Sequence, residues 1–80
     1  MAIKSLNDPR YQAAIRRLVE RRHELDLTQA KVARLLGRRQ QFVGKYELLE
    51  RRLDLIEYCD VAHALGLDGA VEILRIWKPN

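Results

Sequence analysis

The sequence predicts an all-α domain, and three observations carry that expectation. Apolar residues recur at three- and four-residue steps, capping residues punctuate the chain at short intervals, and Val, Ile and Thr are too sparse for a sheet. Eighty residues make one domain, enough for a small core and too few for a large buried cleft. The expected organisation is a flexible arm over residues 1–7, then a single five-helix domain over residues 8–78.

Asp8 and Pro9 read as an N-cap and first helical position, with Tyr11, Ile15, Leu18, Arg22 and Leu25 following along one face. Only Arg22 interrupts that face. Asp26 ends the helix, and Thr28 caps the next, "TQAKVARLLG", which buries Val32, Ala33 and Leu36. Gly37 supplies the positive φ that stops it. A third helix spans about Arg39 to Glu47, with Val43 and Tyr46 inward. Asp54 and Glu57 form a capping box for "LIEYCDVAHAL", which Gly66 closes. Asp68 or Gly69 opens the last helix, "AVEILRIW", and Pro79 stops it.

The net charge of +4 is unevenly spread: residues 16–52 hold eleven Lys or Arg against five Asp or Glu, whereas residues 53–80 hold two against five. A basic middle joined to an acidic end suggests one polyanion-facing side.

The constellation that carries the chemistry lies in that basic middle. Gln29, Ala33, Gly37, Val43 and Tyr46 belong together: Ala33 is small where two short helices can cross closely, Gly37 sits in the tight turn, and Val43 plugs the angle beneath. A steep helix pair of this kind leaves its second member proud of the surface, which is the helix-turn-helix arrangement used in the DNA major groove.

On these residues the chain resembles the Cro/Xre-type family of bacterial and phage transcriptional regulators. The resemblance rests on "LTQAKVARLLG", "RQQFVGKYE", "ERRLD" and "VAHALGLD", and covers residues 11–68 coarsely. It implies a compact five-helix, lambda-repressor-like fold that binds double-stranded DNA as a homodimer. It implies a phosphate contact for Gln29 and places Gln40 and Gln41 where paired glutamines read base edges in some lambdoid phage repressors.

The chemistry supports that assignment on its own terms. A Gln amide presents donor and acceptor side by side, as adenine requires, while Arg39 and Lys45 offer donors to guanine. Gln40 and Gly44, like Gln41 and Lys45, are four residues apart and share one strip, where Gly44 lets the helix approach the groove floor. Arg38, Arg51 and Arg52 flank the strip as phosphate clamps, which position a domain without reading sequence. For Phe42, packing against Tyr46 is the favoured role and contact with a thymine methyl the alternative.

The chain departs from the family's pattern in two places. Leu48 and Leu49 stand where turn residues are usual, and a leucine in the left-handed region costs about 1 kcal/mol. Either the third helix runs on or the loop takes another route. Leu35 replaces a long polar residue. The last helix is apolar on more than one face, so Val71, Leu74, Ile76 and Trp77 are the candidate dimer contacts.

Other chemistries find little support. Cys59 and His63 share a helix face, but no pattern around them completes a metal site, and no phosphate-binding glycine loop is present. No cofactor, metal or catalytic role is expected. No apolar run matches a membrane span and the start has no signal-peptide core, so a cytoplasmic chain is expected. The sequence thus points to a sequence-specific DNA-binding regulator, most simply a repressor. The alternative is a protein-interaction module on the same scaffold, such as an antitoxin or anti-activator.

Overall fold

A computed structural model of the chain describes residues 4–79. Five helices of eight residues or more follow a single helical turn, and the described residues form no strand. The single turn, α1 (Lys4–Asn7), falls in the stretch expected to be an arm; residues 1–3 lie outside the described residues. The Leu6 carbonyl accepts a hydrogen bond from Gln12 Nε2, which ties α1 to the next helix. The two do not fuse because Asp8 precedes a proline. That position disfavours the helical region, and Asp8 stands extended at φ −72°, ψ 124°.

Helix α2 (Pro9–Glu24) is the longest, and Asp8 caps it by accepting from Arg10 N at 2.8 Å. Helices α3 (Gln29–Leu36) and α4 (Gln40–Glu47) are joined only by Gly37, Arg38 and Arg39. Thr28 caps α3 as expected, whereas Arg39 begins α4 without any side-chain cap. The Asp54–Glu57 capping box opens α5 (Leu55–Ala64), and Asp68 caps α6 (Gly69–Ile76).

One device ends four of these helices. Asp26, Gly37, Leu49 and Gly66 all have left-handed φ, between 57° and 75°. In each case the following N–H reaches the carbonyl five residues back: Leu27 to Arg22, Arg38 to Ala33, Glu50 to Lys45 and Leu67 to Ala62. This satisfies carbonyls that a helix end otherwise leaves unpaired. Leu49 therefore does neither thing expected of it. It keeps the turn and accepts the left-handed strain while its side chain packs, half-buried, on the core.

Leu18, Val32, Val43, Tyr46, Val61 and Leu65 are fully buried where α2, α3, α4 and α5 meet. Tyr11 reaches across to accept from Leu53 N at 2.9 Å, tying the α4–α5 connection to α2. Helix α6 packs on α2 and α5. Its inward face carries an acid as well as apolar residues: Glu72 is buried and accepts from Arg17 Nε at 3.3 Å.

Candidate nucleic-acid interface

Phe42, Val43 and Tyr46 fix which way α4 faces, because burying all three leaves the opposite side to solvent. That side carries Gln40, Gln41 and Lys45, all exposed, with exposed Arg39 at the N-cap. Within the described residues no hydrogen bond or ion pair occupies the two glutamine amides. Gln29, Gln40, Gln41 and Gly44 together line a shallow depression of about 340 Å³. The residues expected to read bases are thus brought to one surface.

Gln29 and Gly44 have different settings from those expected. Gln29 is half-buried, and its Nε2 donates to Glu47 Oε1 at 2.9 Å. Gly44 faces it: a Cβ added there would lie 3.5 Å from Gln29 Oε1. That is ordinary van der Waals contact, so packing against α3 does not itself require a glycine, and Gly44 is half-exposed on the floor of the depression.

Behind Gln29 lies the interaction that explains Arg22 on the apolar face of α2. Arg22 donates to both Glu47 oxygens, from Nε at 2.7 Å and Nη2 at 3.0 Å, and from Nη1 to the Leu27 carbonyl at 2.8 Å. The Arg22 and Glu47 side chains are 12% and 7% exposed. The Glu47 hydrogen bonds hold the Arg22 guanidinium above its ordinary pKa. Burial pushes the neighbouring Tyr46 hydroxyl well above its ordinary pKa. This network joins the starts and ends of three elements: α2, α3 and the last turn of α4.

The flanking arginines are already partnered. Arg51 donates to Glu57 Oε1 and Oε2, both at 2.8 Å, and Arg38 donates to Glu57 Oε2 at 2.8 Å. Both guanidiniums also lie over the Phe42 ring, 4.2 Å from its centroid for Arg38 and 4.9 Å for Arg51. Phe42 in turn meets Tyr46 edge-on at 5.5 Å, the packing role favoured for it. The Arg51 hydrogen bonds, aided by Asp54 N–H and Arg38, hold the Glu57 carboxyl at a pKa of about 2. Arg52 is exposed beside this cluster.

A second surface lies elsewhere. Tyr11, Ala14, Leu53, Tyr58, Ile73 and Trp77 are among the residues lining a largely apolar groove of about 660 Å³ where α2, α5 and α6 meet. Leu74 at its lip is 82% exposed and Trp77 58%. Of the candidate dimer contacts, Val71, Leu74 and Trp77 are exposed, but Ile76 is half-buried against the chain's own core. Cys59 lines the groove as an exposed thiol, and the described residues contain no cluster able to hold a metal ion. None of the described helices is long and apolar enough to cross a membrane.

Sequence reasoning did not find the Arg22–Glu47–Gln29 network or the second role of Glu57. Arg22 as a lone charge on an apolar stripe was the one available signal, since a charge there needs a buried partner. Comparison of the chain with protein-family models, curated proteins and solved structures finds no match.

Proposed function

We propose that the chain is a sequence-specific, double-stranded DNA-binding regulator, with α3 and α4 acting as a helix-turn-helix and α4 entering the major groove. One observation carries this reading most directly. Among the described residues, Gln40 and Gln41 stand exposed and without a hydrogen-bond partner at the leading end of a short helix whose opposite face is locked into the core. An unpartnered pair of primary amides on a rigid protrusion suits the paired donor and acceptor of an adenine edge. Arg39 and Lys45 beside them add donors for guanine. Arg38, Arg51 and Arg52 hold the backbone, and the arrangement acts most simply as a repressor that occludes a promoter.

In the same reading the regulator works as a homodimer joined through α6, placing two α4 helices about 34 Å apart on an imperfect palindrome. Selection of bound duplexes from a random pool tests the core claim. A consensus with half-sites one helical turn apart is expected; a pool that stays random after repeated selection refutes sequence reading.

The apolar groove favours a second reading, in which the same scaffold binds another protein and DNA binding is autoregulatory or absent. Exposed Leu74 and Trp77 support it as well as they support a homodimer. Sedimentation of the purified chain separates the two: a 9.4 kDa species alone, at all concentrations and with DNA present, argues against the homodimer.

A further inference from the structure

The cluster around Glu57 has an internal asymmetry. The Glu57 side chain is 12% exposed, whereas those of Arg38 and Arg51, paired with it, are 42% and 40% exposed. The acid is covered and the two cations are presented. Arg38 comes from the α3–α4 turn and Arg51 from the α4–α5 connection, so the two bracket α4 from opposite ends in sequence. One carboxylate on α5 and one aromatic ring on α4 hold both.

Each guanidinium carries five N–H donors in a fixed plane. Arg38 spends one nitrogen, Nη2, on Glu57; Arg51 spends its two terminal nitrogens there, and its Nη1 also donates to the Arg52 carbonyl at 3.2 Å. Arg38 Nε and Nη1 and Arg51 Nε remain as donors for a ligand. Arg51 also feels the Asp54 carboxylate of the capping box, so the two guanidiniums are charge-balanced locally and are singled out by their exposure instead.

From this geometry we infer that Arg38 and Arg51 form a single phosphodiester-gripping fork, and that Glu57 is its positioning residue. Glu57 does not touch the nucleic acid. It orders two rotamer-rich side chains before binding, so that the entropy of fixing them is not lost when the backbone docks. The inference rests on the DNA-binding reading above, and it makes a prediction of counterintuitive sign. Removing a negative charge beside a DNA-binding surface should strengthen attraction to DNA, whereas removing a positioning residue should weaken it.

Glu57→Gln separates these effects. Glutamine can still serve as the third-position partner of the Asp54 capping box, so the fold is expected to persist. The readout is binding of a fluorescently labelled duplex of arbitrary sequence at low salt, with urea unfolding as a control. Glu57→Gln is expected to bind about tenfold more weakly than the original chain, the scale of ordering two long side chains at docking. In an Arg38→Ala, Arg51→Ala background the same change is expected to cause no weakening, leaving binding equal or slightly tighter because only the loss of the negative charge remains.

Equal or tighter binding by Glu57→Gln overturns the inference and makes the acid a bystander or competitor. Weakening that survives in the double-alanine background overturns it too, because the effect then runs through the fold. Arg51→Lys offers an independent check, keeping the charge and losing the planar fork. It is expected to weaken the same duplex several-fold, and unchanged binding refutes the fork. If the original chain binds no duplex, selected or arbitrary, the DNA-binding reading fails and takes the fork with it. Binding by the original chain with no loss in the variants sinks only the fork.

Discussion

Glu47→Ala tests the network behind α4. Glu47 accepts three hydrogen bonds, two from Arg22 and one from Gln29, with both members of the ion pair almost wholly covered. Truncating the acid leaves a largely buried guanidinium with the Leu27 carbonyl and, at 3.4 Å, the His23 ring nitrogen to meet it. Breaking a buried pair by removing one partner costs about 3–5 kcal/mol. The surviving Leu27 contact puts the expected loss at the lower end, about 3 kcal/mol. A domain of this size has a total stability of about 4–12 kcal/mol, so that loss takes a quarter or more of it. The converse experiment separates charge from packing. Arg22→Met with Glu47→Leu removes both charges and is expected to recover to within about 1 kcal/mol of the original chain. Urea unfolding followed by far-ultraviolet circular dichroism reads both values, provided the dependence on denaturant keeps the same slope. A loss below about 1 kcal/mol for Glu47→Ala, or a double variant no more stable than the single, refutes the uncompensated-charge argument.

Five other outcomes are expected. Gln40→Ala, Gln41→Ala and Lys45→Ala should each reduce discrimination between selected and random duplexes by about 1–3 kcal/mol; equal losses on both substrates remove their reading role. Glu57 has a folded pKa of about 2 against an ordinary value of 4.5, so its stabilisation is present above pH 4.5 and fades as pH falls toward 2. Acid titration of unfolding should therefore be flatter for Glu57→Gln, and an identical pH profile argues against the ion cluster. Gly37→Ala meets no atom within 4 Å, so its cost, about 1 kcal/mol, isolates the left-handed backbone term. Leu49→Gly should recover a similar term while losing a half-buried side chain, giving a net change near zero by thermal melting; a large loss means the backbone is unstrained. Leu74→Glu should abolish self-association in sedimentation if α6 joins two copies, and an unchanged dimer places the contact elsewhere.

What was legible in the sequence was local. Asp8 with Pro9, Thr28, the Asp54–Glu57 box, Gly37, Gly66 and Asp68 all act within five residues of their own position, so spacing alone locates the helices they bound. The exposed strip of α4 was legible for the same reason, because helical periodicity assigns faces. Partnerships across the fold were hidden. Arg22 meets Glu47 from 25 positions away, Arg38 meets Glu57 from 19, and Arg17 meets Glu72 from 55. Charge spacing along one helix carries no trace of them. Hydropathy also misplaced Glu72, which reads as a polar break in α6 and is in fact its buried residue. Leu49 was misjudged because propensity weighs the backbone alone, while here a half-buried side chain offsets the strain.

The fastening of α4 has a mechanical result. Its trailing turn is bolted down through Glu47, while its leading residue, Arg39, contributes no side-chain cap. Eight residues make a rod about 12 Å long, and Phe42 and Val43 seat its leading half in the core just as Glu47 secures its far end. Gln40 and Gln41 are thus carried at a set position on the body of the protein, so in the proposed reading it is the duplex that must adjust its local shape to them.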